Sequence, residues 1–413
     1  MSKKVSILLI ALFFTSFLSV AQQKEKKAML ISGINAILQS QVDQSKIPGA
    51  VILIKQGQKT VYKKAFGYAQ IKDYTELHIT NPEKTTVNHL YDIASLTKVV
   101  GTTTSIMLLV DAGLLKVDDP VSKYIKAFNA PYKKEITIRH LLTHTSGLYE
   151  WYPLYYFCKN KQESYKFIEE LPLMFPVGKE RRYSDLAFVL LGKIIENLSG
   201  LTLEQYMQQN IFNPLNMTHT MFKPLEKGSA YKIAATSHGN PYERRMVTDS
   251  TLGFKISSID PDQWTGWRNY TLKGEVNDGI TWYANGGISG AAGLFSTIDD
   301  LQKLIDVLKQ DGKSGARQFI SKNTINLFLT KDKFNNGLGW MMDSQNPFMK
   351  NAGEGSFGHT GFTGTSIAVI PQFDISVILM INRQNNGLLE NKEYYNLNPI
   401  REQVFAAIMK YCE

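Results

Sequence analysis

Only two cysteines, Cys158 and Cys412, occur in 413 residues. Two so widely separated cannot form the multi-bridge framework of a small secreted scaffold. An oxidising compartment would permit one bridge between them, with the unpaired state preferred. No Cys/His cluster has zinc spacing. His140 and His144 stand four apart, but no glutamate follows His140, so the H-E-x-x-H pattern of a metalloprotease fails. The sequence therefore calls for no metal and no cofactor. Internal repeats and low-complexity tracts are missing too, which argues against a structural or adhesive role. Charge of one sign is nowhere concentrated. The formal net charge is +9, but Lys and Arg alternate with acids and build no arm, which argues against nucleic-acid binding. What remains is solubility with a possible weak association with anionic cell-wall polymer or membrane surface.

A long apolar run occurs only at the N-terminus. Lys3 and Lys4 precede an apolar stretch from Val5 to Val20, and Ser19-Val20-Ala21 offers a small-residue cleavage site before Gln22. That is the layout of a signal peptide over residues 1–21, implying a periplasmic or secreted protein. An uncleaved anchor ranks second, because the apolar core is shorter than the ~20 residues a spanning helix needs. No cysteine sits at the cleavage site, which argues against a lipoprotein. Removal of the leader takes two lysines with it and leaves a 392-residue chain of charge +7, suited to one large core with an inserted subdomain.

The hydrophobic pattern divides this chain. Lys26 to Gln41 carries apolar residues at helical spacing. Ala50–Ile54 and Thr60–Tyr62 around Gln56-Gly57-Gln58 read as a hairpin, as do Ser366–Ile370 and Ile375–Ile381 around Pro371–Asp374. A helix-like Pro399–Tyr411 follows. An antiparallel sheet is thus expected from both chain ends, flanked by helices, with an inserted and mostly helical region over roughly 100–290. The fold class is α+β. The loop-rich part from Gly228 to Gly287, with Trp264, Trp267 and Trp282, is expected either to wall a binding site or to pack its own aromatics.

Three short elements carry chemistry. Ser95-Leu96-Thr97-Lys98 heads a helix-like segment, where positions i and i+3 share a face and an amine can lie beside a hydroxyl. Alone it is equally an N-capping serine and a solvated lysine. Tyr183-Ser184-Asp185 opens a second helix-like segment, and Gly358-His359-Thr360-Gly361 precedes a strand. In this order and spacing the three elements resemble those of the serine β-lactamase and penicillin-binding-protein superfamily, above all its class C-like branch. The likeness runs from about Ala28 to the C-terminus and takes in Asp118–Val121, Ile138–Leu148 and Gly290–Thr297. It makes 22–413 one β-lactamase-related hydrolase domain of transpeptidase-like fold.

The resemblance implies an exported serine hydrolase that forms an acyl-enzyme on an ester, amide or peptide bond of a small molecule or muropeptide-like substrate. Esterase and cell-wall amidase or D-peptidase activity rank above the alternatives, a β-lactamase or a non-catalytic binder of peptidoglycan fragments. Ser95 is then the nucleophile, with Lys98 and Tyr183 handling its proton. The backbone N–H groups of Ser95 and Phe362 form the oxyanion hole, Gly361 lets backbone approach substrate, and Thr360 orients the motif. Partial burial is expected to lower the Lys98 pKa, and a lysine beside Tyr183 to stabilise its phenolate. Two positions depart from the β-lactamase pattern. Asp185 stands where an asparagine is common; an ionised carboxylate only accepts hydrogen bonds, and is expected to pair with Lys98. His359 replaces a lysine, and is expected to titrate near ~pH 6.5 and hold a substrate carboxylate less firmly.

Overall fold

A computed structural model describes the backbone of residues 2–228 and 231–413, and side chains from residue 22 onward. The signal-peptide expectation for residues 1–21 falls outside the described side chains. Along the chain run α1 (Ser2–Asp43), β1 (Gly49–Gln56), β2 (Lys59–Gly67), β3 (Tyr91–Asp92), α2 (Thr104–Asp111), α3 (Ile138–Leu142), α4 (Lys161–Glu170) and α5 (Asp185–Ser199). There follow α6 (Leu203–Met207), β4 (Met221–Phe222), α7 (Pro241–Thr248), β5 (Leu294–Ser296), α8 (Ile298–Lys309), β6 (Lys313–Ser314), β7 (Arg317–Gln318) and α9 (Lys322–Phe328). The last elements are β8 (Phe357–Thr360), β9 (Thr365–Ile370), β10 (Ile375–Ile381) and α10 (Asn398–Cys412).

The main sheet has five strands in the order β2-β1-β10-β9-β8, and every neighbouring pair is antiparallel. Ala50 pairs with Ile381 and Gln56 with Ile375, so the first hairpin of the chain zips onto the last. Strand side chains alternate between faces, and here both faces are apolar. Ala50, Ile52, Ile54, Leu379 and Ile381 pack with Leu30, Ile34 and Leu38 of α1 and with Ile400, Val404 and Ile408 of α10. Val51, Leu53, Ile367, Val369, Ile378 and Met380 face the other way, into a core shared with α2, α5 and α8. The sheet is therefore sandwiched between a terminal helix layer and the helical region built from the middle of the chain. Among the described residues no single helix is long and apolar enough to cross a membrane. Cys158 and Cys412 are both unbridged.

Candidate active site

The site forms where β8, the edge strand of the sheet, meets the turn before α2. Asp92 is buried at the end of β3; its Oδ1 accepts from the Ala94 N–H at 2.8 Å and its Oδ2 from the Asn277 N–H at 2.6 Å. This holds Ala94 at φ 45°, a left-handed conformation that a non-glycine residue adopts only when its surroundings impose it. Ser95 is thereby thrust out of the chain path into the cleft. Lys98 begins a single π-helical turn, Lys98–Thr103, and is fully buried.

Lys98 Nζ has three acceptors: Ser95 Oγ at 3.1 Å, the Ala291 carbonyl at 2.8 Å and Asp185 Oδ1 at 2.7 Å. An ammonium has three N–H donors, and all three are engaged. Burial opposes the charge of Lys98, but Asp185 and Tyr183 outweigh it and hold the lysine above its ordinary pKa. The expected downward shift is thus reversed, because the Asp185 carboxylate lies directly against the buried ammonium. The expected pairing of Asp185 with Lys98 is present.

Asp185 is delivered by the first turn of α5. Ser184 caps that helix, its Oγ accepting from the Ala187 N–H at 3.1 Å, and Gly200 ends it in the left-handed region at φ 69°. Tyr183 directly precedes the cap. Its ring lies 5.1 Å from Lys98 Nζ, and its hydroxyl is buried without a hydrogen-bond partner. Burial raises the Tyr183 pKa, and Lys98 only partly offsets this, so the resting group is a phenol rather than a phenolate. The ring is flanked by two histidines, His144 at 4.4 Å and His359 at 6.0 Å between centroids. His144 Nδ1 accepts from the Ser184 N–H at 3.0 Å, and burial pushes its pKa well down. His144 thus braces Tyr183 and the start of α5.

His359 departs from expectation. It is buried at 1% exposure, outside the cleft lining, and burial followed by repulsion from Lys98 pushes its pKa down to about 3. Its Nδ1 lies 2.8 Å from the Thr360 carbonyl, so that nitrogen carries the proton and donates it. It is a neutral brace at pH 6.5, not a half-charged substrate contact. At Gly361 a Cβ would meet the Ile93 carbonyl at 2.5 Å and Thr365 Oγ1 at 2.2 Å. Its missing side chain lets β8 abut the turn that presents Ser95. Phe362 follows, with 42% of its surface exposed at the cleft mouth. Neither the Ser95 nor the Phe362 N–H has a backbone acceptor among the described residues, leaving two donors available to a developing oxyanion.

The cleft encloses about 300 Å³. Ser95, Tyr183, Asp185 and Phe362 line it, together with residues that the sequence did not single out: Trp151, Asn240, Tyr242, Glu243, Phe254, Asn277, Asp278 and Tyr394. The segment from Gly228 to Gly287 does wall the site, but through α7 and the Asn277-Asp278 turn rather than through its tryptophans. Trp264 and Trp267 pack with Tyr155 and Tyr283 at 4.6–6.0 Å between centroids, and Trp282 faces the Arg268 guanidinium at 4.8 Å. Their clustering is the aromatic self-packing that the composition equally allowed.

An antiparallel sheet between helix layers, with a serine and a buried lysine at the junction, defines a serine hydrolase of the β-lactamase and penicillin-binding-protein type. The Beta-lactamase family model matches residues 34–398, and the chain belongs to that family. The N-acetylmuramyl-L-alanine amidase of Bacillus subtilis (strain 168) is 30% identical over 373 residues, 85% of this chain and 80% of that protein. A protein of Escherichia coli (strain K12) named "Putative D-alanyl-D-alanine carboxypeptidase" is 31% identical over 397 residues, 90% and 87% of the two chains. Among solved structures, a penicillin-binding-protein homologue from Caulobacter crescentus superposes with TM-score 0.67 at 17% identity, covering 92% of this chain and 97% of the other, and so supports the fold.

Proposed function

We propose that this hydrolase is exported, with residues 1–21 as its signal peptide and 22–413 as one catalytic domain, and that it works through an acyl-enzyme on Ser95. The observation that carries this reading is the 3.1 Å contact from Lys98 Nζ to Ser95 Oγ at the floor of the cleft. Because the three N–H groups of Lys98 are already engaged, the ammonium orients Ser95 and supplies positive charge, while the base is Tyr183 in its phenolate form. In acylation Ser95 Oγ bonds to the substrate carbonyl carbon and its proton passes to Tyr183. The carbonyl oxygen is met by the N–H groups of Ser95 and Phe362. Collapse breaks the bond to the leaving group, which takes the proton from Tyr183; water then attacks the acyl carbon as Tyr183 removes its proton, and collapse of this second intermediate breaks the bond to Ser95 Oγ, which takes the proton back from Tyr183 as the acid product leaves.

The bond cleaved is an amide, ester or peptide bond in a small molecule or cell-wall peptide fragment. The names of the B. subtilis and E. coli relatives support the cell-wall assignment. β-Lactam turnover ranks lower, because Asp185 presents no amide donor to a substrate carbonyl. The test is intact-mass analysis after incubation with fluorophosphonates, p-nitrophenyl esters, β-lactams and muropeptides. The protein should gain one acyl or phosphonyl mass per chain, and Ser95→Ala should gain none. Labelling that persists in Ser95→Ala would remove the nucleophile assignment.

A further inference from the structure

The Ser95 and Phe362 N–H groups come from segments far apart in the chain, so meeting one oxygen requires that the span between them be fixed. Phe362 and Thr363 are the central residues of the tight turn that joins β8 to β9, closed by the Gly364 N–H donating to the Gly361 carbonyl at 3.0 Å. The Thr363 hydroxyl leaves that turn and donates to the Asp92 main-chain carbonyl at 2.7 Å, across 271 positions of sequence. Thr363 is 2% exposed, so water does not compete for the bond. Asp92 is the residue whose side chain accepts from the Ala94 N–H at 2.8 Å and thereby thrusts Ser95 into the cleft.

The other bonds that hold this turn lead elsewhere. Arg383 Nη2 donates to the Phe362 carbonyl at 2.8 Å and Nη1 to the Tyr395 carbonyl at 3.0 Å, while the guanidinium lies 5.3 Å from the centre of the Phe362 ring. These contacts tie the turn to the chain beyond β10. Thr365 Oγ1 donates to the Ile93 carbonyl, but at 3.2 Å and from the first residue of β9. Among the described residues, the Thr363 hydroxyl therefore makes the one hydrogen bond that runs from the Gly361–Gly364 turn to the Asp92–Ser95 segment.

We infer that Thr363 is a positioning residue for the oxyanion hole: its hydroxyl sets the distance between the Phe362 and Ser95 N–H groups and so brings both to one oxygen, an inference that rests on the acyl-enzyme reading above. As the substrate carbonyl becomes tetrahedral its oxygen gains charge, and the two donors stabilise it only if they point to where that oxygen arrives. A misplacement of about 1 Å in such a constellation costs about 10²-fold in rate. Thr363 is not among the residues that line the cleft. Loss of its hydroxyl is therefore felt in the transition state rather than in substrate binding.

The test compares p-nitrophenyl acetate with its thiono counterpart, because sulfur is a weak hydrogen-bond acceptor and gains little from oxyanion donors. Thr363→Val keeps the shape and removes the hydroxyl; Thr363→Ala removes it without placing a second methyl against the Asp92 carbonyl, and serves where valine impairs folding. Each should lower kcat for the oxygen ester by about 10–100-fold with KM held within about threefold, and lower the oxygen-to-sulfur rate ratio by about tenfold. Thr363→Ser retains the hydroxyl and should return that ratio to within about threefold of the unmutated protein. A parent-like kcat in the folded valine or alanine variant, a loss that leaves the ratio unmoved, or a failure of serine to rescue it overturns the assignment. Fluorophosphonate labelling of the unmutated protein runs alongside. With labelling present, an unmoved ratio removes the Thr363 role alone, whereas absence of labelling removes the acyl-enzyme reading and this inference with it.

Discussion

Asp185 Oδ1 lies 2.7 Å from Lys98 Nζ, a carboxylate with 22% of its side chain exposed against a lysine with none. The pair spans the boundary between core and cleft, and it decides where protons reside. With Asp185 ionised, Lys98 stays charged in a dry site, and the Ser95 proton has Tyr183 as its acceptor.

Asp185→Asn should therefore release Lys98 from its counter-charge while retaining a carbonyl acceptor. Burial then dominates, the lysine pKa falls, the neutral amine takes over the Ser95 proton from Tyr183, and the rise of kcat/KM with pH should move to lower pH by about a unit or more. β-Lactam acylation, read by intact mass, should quicken relative to ester hydrolysis, since an amide donor now faces the substrate. Stability should drop by about 2–3 kcal/mol in urea titrations, less than outright removal of one partner from a buried pair. An unmoved profile with equal or slower β-lactam acylation would show that Asp185 sets neither property.

Tyr183 makes the parent activity alkaline. A base must be deprotonated to act, and burial raises this phenol above its usual pKa despite Lys98. With a neutral ester, kcat/KM should climb about tenfold per pH unit through the neutral range without levelling by about pH 8. Tyr183→Phe should remove that slope and lower kcat/KM by about 10²–10⁴-fold. A plateau below pH 7 in the parent would mean that a group other than Tyr183 takes the proton.

His359 should impose no inflection between about pH 6 and 7 on carboxylate-bearing or neutral substrates, because it is neutral throughout that range. His359→Lys would put a second ammonium beside Lys98 without access to water. It should lower the melting temperature markedly, whereas His359→Asn should fold and keep most activity. A carboxylate-specific inflection in the parent that His359→Asn abolishes would return His359 to the substrate side.

The contrast between Asp185 and His359 shows what a sequence can reveal. Ser95 and Lys98 are joined by local geometry, three residues apart at the start of one helical segment, so spacing alone suggests their contact, whereas the pairing of Asp185 with Lys98 was implied by the family resemblance. The sheet was legible for a similar reason, since two hairpins with apolar strands can bury both faces only by joining. The electrical state of His359 depends instead on Tyr183, Lys98 and the layers around them, and nothing within a few residues of it reports that burial. Glu243 lies in Tyr242-Glu243-Arg244-Arg245, which reads as the polar face of any surface helix. Only the folding of α7 over the Ser95 turn turns it inward. Asp92 is intermediate: three residues before Ser95, it could have been suspected, but its hold on Asn277 joins positions 185 residues apart.

Glu243 also leaves a signature in stability. Its folded-state pKa of about 8 lies above the ordinary 4.5, so between those values the native protein retains a proton that the unfolded chain has released. Stability must then fall as pH rises, at about 1.4 kcal/mol per unit. Asp92, raised to about 6, acts in the same direction at lower pH, whereas five histidines held below their ordinary pKa (His89, His140, His144, His238 and His359) oppose it, because the unfolded chain protonates them up to about pH 7.5. The Glu243 contribution is therefore isolated by difference: from about pH 6.5 to 8 the unmutated protein should lose about 1–2 kcal/mol relative to Glu243→Gln in denaturant titrations. Parallel profiles for the two proteins would mean that Glu243 is already ionised at neutral pH in the empty cleft.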